Sequence, residues 1–399
     1  MVAGTRKIND KWLKASVLAG LWAGIEIIAG SFLHNLKIPL SGTFLTIISV
    51  ILVLGFFQIW PQRGIIWRAG LITALMKSIS PSAIILGPMI AIFMEGILLE
   101  LAVWVFGKNL LAYIAGGVIT LTGALMQKIL RMWMMYGLDI FEIYENMYQM
   151  AIQKIGFSYS SPAPAVATIF ILYGLLGALA AFTGYSIGKR ARKIQINEIP
   201  QTDIGSTNNP WKQQPNHKGY STILLIFHFI VIPVLLFLPH HSSWFLSTGI
   251  ISLYLIFIGF RYKHALKRLK KSLFWAQLLI ILALAWFFSD TSVGSATPKL
   301  LALADGFNMV LRALIVVMGF SALSTELRAP VMQRLFYQGG LRQLYLSINT
   351  AFGILPEVIE NFASPRDFLK KPFGSIAYSL QFVNGWHQEL KKRYAQEKN

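Results

Sequence analysis

The stretch Leu40–Ile59, LSGTFLTIISVILVLGFFQI, runs for twenty residues without one charged side chain. As a helix rising 1.5 Å per residue it measures about 30 Å, the thickness of a bilayer's hydrocarbon core. Comparable windows lie on either side: Trp12–Leu33, Ile65–Ile79, Ala83–Phe106, Leu110–Met134 and Val166–Ile187. Further on come Ser221–Leu238, Ser243–Phe260, Leu273–Phe288 and Gly306–Leu323. Hydrophobic residues make up 55% of the chain and charged ones only 13%, too few to clothe soluble domains of this length. The expected fold class is an all-α polytopic membrane protein: six spans, then four, then amphipathic helices.

Thirty-six Lys and Arg against 17 Asp and Glu give a formal charge of +19. In a soluble protein that excess would suggest nucleic acid, but here the basic residues cluster at span ends. Arg6, Lys7, Lys11 and Lys14 precede the first span; Arg63 and Arg68 follow the second; Lys108 follows the fourth; Lys189, Arg190, Arg192 and Lys193 follow the sixth. With alternating spans all four groups fall on one side, which the positive-inside rule makes cytoplasmic, so no nucleic acid is expected as a partner. The first apolar run is longer than a signal-peptide core and reads as an uncleaved span. The sequence contains no cysteine, which excludes disulfides and thiolate metal sites.

Residues 1–193 form one expected unit of six spans, 194–220 a polar cytoplasmic linker, and 221–399 a second membrane unit. The segment Leu138–Tyr148, LDIFEIYENMY, sets apolar residues at helical spacing opposite its acids and reads as an interfacial helix at the outer surface. From about 324 onward, shorter amphipathic segments broken by Gly339-Gly340, Pro356, Pro365 and Pro372 read as cytoplasmic helices at or under the membrane.

Catalytic signatures are missing: there is no HExxH, no GxSxG and no phosphate-binding loop, since Gly184–Lys189 has one spacer too few and Arg190 where a hydroxyl is needed. The His240-His241 pair reads as a plain loop, and no metal site is expected. More informative are ionisable residues inside spans, because a charge in hydrocarbon costs several kcal/mol unless it faces protein or water. Glu26, Lys77, Glu95, Glu100, Lys128 and Arg131 are of this kind. Lys77 and Arg131 have a bland alternative as snorkelling side chains, whereas Glu95, near mid-span, points to a ligand or a buried cation. Trp22, Trp104, Trp133, Tyr136 and Tyr144 are able to stack on a flat ligand, although aromatic residues also gather at any bilayer interface. Ala15, Ala19 and Ala23, with Gly20 and Gly24 beside them, form a strip of small residues where another helix approaches closely.

With this topology and strip, residues 12–193 resemble the substrate-binding (S) component of energy-coupling factor (ECF) type ABC transporters, a family with six spans and an Ala-x-x-x-Ala motif on its first helix. Lys77–Pro88 is similar to that family's third-to-fourth span junction. The second half, from about Ser221, looks like the transmembrane (T) component, with 324–335 and 352–360 similar to the segment where long coupling helices begin. Those helices normally carry Ala-Arg-Gly or Ala-Arg-Ser motifs. Here Ala363-Ser364-Pro365-Arg366 and Lys391-Lys392-Arg393 are the nearest candidates, and neither matches, so the T half reads as degenerate.

The resemblance implies a membrane subunit of an importer in the bacterial cytoplasmic membrane, both termini inside. It would capture a small water-soluble vitamin or vitamin-like compound from outside. It would bind no cofactor, and cytoplasmic ATPase partners would hydrolyse the ATP, so the chain is not expected to be an enzyme. Glu26, Lys77, Glu95, Gln127 and Arg131 would supply polar contacts to the solute and Trp104, Trp133 and Tyr136 apolar walls, with His34–Ser41 and Leu138–Tyr148 closing over it. Ala15, Ala19 and Ala23 would dock the helix on its partner, so that Ala19→Trp would block uptake. Arg328, Arg334 and Arg366 would engage the ATPases, whose closure topples the S component. Two other classes remain: a membrane-anchored scaffold recruiting a soluble partner through its basic tail, and an integral membrane enzyme acting on lipid.

Overall fold

The computed structural model describes residues 8–35, 40–77, 86–137, 139–154, 161–196, 222–238, 244–262, 299–326, 341–361 and 372–396, with single residues and short groups between 272 and 283. These residues are helical, with no strand among them. The first seven helices are α1 (Asp10–Asn35), α2 (Ser41–Ile59), α3 (Ile65–Lys77), α4 (Leu86–Phe106), α5 (Leu110–Tyr136), α6 (Asp139–Lys154) and α7 (Ala163–Ala191). They are followed by α8 (Thr222–Phe237), α9 (Trp244–Arg261), α10 (Lys299–Glu326), α11 (Arg342–Asn361), α12 (Pro372–Gln381) and α13 (Val383–Gln396).

Five helices among the described residues contain a stretch long and apolar enough to cross a membrane: Ser41–Ile59, Gly87–Phe106, Leu110–Tyr136, Ala163–Ala191 and Gly306–Leu323. Ile223–Leu236 and Leu246–Arg261 are apolar but shorter. The chain is therefore an all-helical protein with several membrane-spanning candidates. Helix α1, at 26 residues, has the length to cross, whereas α3 has only 13 residues. Both lie inside the protein, where neighbouring helices replace lipid: Leu18, Leu21, Trp22, Ile65 and Ile66 are all fully buried.

Helices α1, α3, α4, α5, α7 and α2 touch in that order, and α2 returns to α1, so six helices close a ring. The ends bearing Asp10, Ile59, Ile65, Phe106, Leu110 and Ala191 lie together as the lower end; those bearing Asn35, Ser41, Lys77, Leu86, Tyr136 and Ala163 form the upper end. The contacts within the ring run through glycine. Gly117 of α5 lies against the backbone of Gly177 of α7, Gly188 of α7 lies against Gly55 of α2, and a Cβ on Gly70 of α3 would sit 3.1 Å from the Cα of Gly96 of α4. Small residues allow such approach, and in lipid close packing replaces the hydrophobic drive of water.

Glu100 has a structural role at the lower end. Its carboxylate accepts hydrogen bonds from the backbone N–H groups of Gly64 (2.6 Å), Ile66 (3.0 Å) and Trp67 (3.4 Å), donors that the first turn of α3 leaves without intrahelical partners. Beside it, the Arg68 guanidinium lies over Trp12 at 5.0 Å and Trp67 at 4.6 Å. Glu100→Ala is expected to destabilise the protein by about 2–3 kcal/mol, the cost of stranding buried N–H groups. Thermal unfolding in detergent measures it.

In the second half, α8, α9 and α10 pack through Ile232, Leu235, Ile251, Ile258, Ile315 and Ala322. At their centre His228 bridges the hydroxyls of Tyr254 and Tyr262, each at 3.0 Å, and Tyr262 donates to Glu326 at 2.6 Å. The middle of α10, at Met309–Val317, meets the upper end of the ring, packing on Met135 and Tyr136 of α5 and Ile143 of α6.

The C-terminal helices join the core of the ring. Helix α11 lies along α1, where a Cβ on Gly20 would be 3.3 Å from the Ala351 carbonyl. The Asn9 N–H donates to Gln343 at 2.9 Å, and His387 of α13 pairs with Asp10 at 2.9 Å. Trp386 is fully buried and donates to Glu357 at 2.8 Å. Helix α12 sits on α7 and α2, and the backbone just beyond α7 continues the contact through Ile196 N–H to the Gln381 carbonyl, 2.9 Å.

Candidate functional site: a polar cluster in the six-helix ring

The upper half of the ring gathers polar side chains that an all-apolar interior would exclude. Helix α2 contributes Thr43, Thr46 and Ser49 at intervals of three, which keeps them near one face. Helix α1 contributes Glu26, α3 ends on Lys77, α4 brings Glu95, α5 Lys128 and α7 Tyr173.

Three groupings result. Lys77 Nζ pairs with Glu26 Oε2 at 3.2 Å. Glu95, only 6% exposed, accepts from Thr46 through Oε1 at 2.7 Å, and its Oε2 has no hydrogen-bond partner among the described residues. Lys128 Nζ donates to Thr43 (2.6 Å) and Tyr173 (3.1 Å), whose hydroxyls lie 3.1 Å apart, and the ammonium sits 5.4 Å from the Tyr173 ring centre. Below them Trp22 Nε1 donates to Ser49 at 2.8 Å. Arg131 stands near Gly87, where a Cβ would be 3.7 Å from its guanidinium. Such an arrangement places charges and hydroxyls on rigid helices, the groups with which a protein can bind a small polar molecule.

Of the residues expected at a solute site, the structure brings Glu26, Lys77 and Glu95 together, with Arg131 near the mouth of α4. Gln127 is half-buried on α5, one turn from Arg131. Trp104 lies at the lower end of α4, 62% exposed, its carbonyl facing Arg63. Trp133 lines a separate cavity of about 270 Å³ between the ring and the second half, together with Ile90, His228, Ile232, Arg312 and Leu323. That cavity is almost wholly apolar and unlike a site for a water-soluble compound. Tyr136 packs against α6 and α10.

Helix α6 is present where an interfacial helix was expected, with Ile140 and Ile143 buried and Phe141 and Tyr144 turned outward. Leu138 and residues 36–39 lie outside the described residues, as do Arg328, Arg334 and Arg366. Ala15, Ala19 and Ala23 are all buried; Thr73 of α3 donates to the Ala19 carbonyl at 3.4 Å, and Gly20 beside it faces α11. Among the described residues no three His, Cys, Asp or Glu side chains form a group able to hold a metal ion.

Sequence reasoning noted Lys128 only as one charge among six and passed over Thr43, Thr46, Ser49 and Tyr173. A signal existed: three hydroxyls at threefold spacing in an otherwise aliphatic span. The His228 network also went unseen, because its partners lie 26 to 98 residues away. No family model matches the chain, and no match to it is found among curated proteins or solved structures.

Proposed function

We propose that this protein is the membrane subunit of an ECF-type importer, in which a solute-binding ring and a T-like half share one chain. The ring captures a small water-soluble compound, of vitamin type, from outside a bacterial cytoplasmic membrane, and separate cytoplasmic ATPases drive uptake. The observation that carries this reading is the mixed-charge cluster of Glu26, Lys77, Glu95 and Lys128 in the upper half of a six-helix ring.

Two further features support it. Lys11, Lys14, Arg63, Lys108, Lys189 and Arg190 gather at the lower end and Glu142 and Glu145 stand at the upper, an asymmetry that favours the lower end as cytoplasmic. The small-residue face of α1 at Gly20 rests on α11, a helix of the T-like half, which is the contact through which a cytoplasmic motor would move the ring. The six-plus-four span count and cytoplasmic termini belong to this reading.

Affinity purification of the full-length chain from its native host, solubilised in mild detergent, tests it. A soluble ATPase should co-purify and hydrolyse ATP in the complex. A chain recovered with some other soluble protein and no ATPase would favour a scaffold, and turnover of labelled lipid would favour an enzyme; either result replaces the proposal.

A further inference from the structure

Resting on the solute-receptor reading, we infer that the compound is amphoteric: it seats an acidic group, carboxylate or phosphate, on Lys128 and presents an N–H donor to Glu95. Two members of the polar cluster are incomplete in opposite senses. An ammonium has three protons to donate, and Lys128 places two of them on neutral oxygens, Thr43 at 2.6 Å and Tyr173 at 3.1 Å. No carboxylate pairs with it among the described residues, in contrast to Lys77, which Glu26 neutralises at 3.2 Å. A cation held among helices by neutral hydroxyls alone is a costly arrangement that an arriving anion relieves. The hydrogen bond between Thr43 and Tyr173, 3.1 Å, keeps the two oxygens together and so fixes the ammonium in place.

Glu95 has the complementary deficit. It is 6% exposed, Thr46 meets one oxygen at 2.7 Å, the Ser49 hydroxyl lies beside the carboxyl, and the second oxygen is left without a hydrogen bond of good geometry among the described residues. A carboxylate oxygen so placed accepts from an N–H or an ammonium.

The spacing joins the two groups. Lys128 is anchored to Thr43 and Glu95 to Thr46, three residues apart on α2, so their anchor points are about 5 Å apart along one helix face. The two charges make no ion pair with each other. A compact molecule with an acid at one end and an N–H at the other matches that separation, and a purely cationic or purely apolar compound leaves Lys128 unanswered.

The full-length protein in lipid nanodiscs, incubated with a filtered aqueous extract of rich growth medium, tests the inference when bound compounds are identified by mass spectrometry against empty discs. Compounds enriched on the wild-type protein should carry both an acidic group and an N–H, and their masses separate carboxylates from phosphates. Enrichment should fall about tenfold or more in Lys128→Met and in Glu95→Gln, the loss of one charge-assisted contact, and persist in Lys128→Arg and in Lys108→Met at the lower end. An enriched compound without an acidic group, or enrichment indifferent to Lys128→Met, overturns the inference and leaves the receptor reading standing. No enrichment over empty discs overturns both. Should a variant fail to fold, the chemistry of what the wild-type protein retains still decides.

Discussion

Gly177→Leu is expected to prevent recovery of folded protein. A Cβ at Gly177 meets the carbonyl of Gly117 and, at 2.9 Å, the amide nitrogen of Val118, so the obstacle is backbone on the facing helix and no rotamer change relieves it. Helix α7 also has little freedom to slide, because Gly184 rests on Ile51, whose Cα would be 3.0 Å from an added Cβ, and Gly188 rests on Gly55. Overpacking a core commonly costs about 1–3 kcal/mol, and the cost is greater where two backbones touch. Size-exclusion chromatography in detergent should show aggregate in place of a monodisperse peak. The matched control is Gly259→Ala in α9, where nothing lies within 4 Å of the added Cβ and a change within about 1 kcal/mol is expected.

The second large effect concerns the seam between α1 and α11. Gly20→Leu drives a side chain toward the Ala351 carbonyl, 3.3 Å from the Cβ position, and toward Ile354 at 3.6 Å. The polar cluster belongs to the ring's upper half and should keep its geometry, while the seam loses about 1–3 kcal/mol, or roughly 5- to 150-fold in the population of the docked arrangement. Because the sequence has no cysteine, a pair introduced as Asn9→Cys and Gln343→Cys, at positions that the Gln343 side chain spans to reach the Asn9 N–H, reports docking by the yield of a short bifunctional thiol crosslinker. That yield should drop sharply in the Gly20→Leu background. Under the proposed function, ATP-driven uptake should drop with it while solute binding persists. An undiminished yield would show that α11 tolerates the wedge and that the seam is not a close one. Ala19→Trp, which the alanine strip alone would suggest, is a poorer probe: Thr73 donates to the Ala19 carbonyl, so a bulky residue there disturbs α3 as well.

The helices behind most of the expected spans were legible to within a few residues, and five of them are long and apolar enough to cross a membrane. Ser41–Ile59 and Leu110–Tyr136 announce themselves because an uncharged apolar run of about twenty residues has few other uses, and hydropathy needs no knowledge of neighbours. The seating of the C-terminal helices on α1 was not legible. Leu344, Ile348 and Ala351 mark an amphipathic face on α11, but nothing local says that its partner is a glycine more than three hundred residues earlier. The same division runs through the polar cluster. Glu26, Lys77 and Glu95 stand out because charge is costly in hydrocarbon, whereas a threonine hydroxyl is cheap there: the single Thr46 proton has the Gly42 carbonyl, at 3.0 Å, as a local acceptor alternative to Glu95. Trp104 and Trp133 looked like ligand walls, yet they lie at a ring end and at the joint between halves, since bulky amphipathic rings suit any boundary.

Helix α1 is covered on one side by α2 and α3 and on the other by α11 and α13, the latter from the last stretch of the chain. It leaves the ribosome long before α11 and α13, which complete its surroundings. Until residues 342–396 have been synthesised, its Gly20 flank faces whatever else is at hand, lipid or an attendant chaperone. The ring thus waits on α11 and α13, and a polypeptide cut short after α7 would possess the six ring helices without the clasp that holds α1.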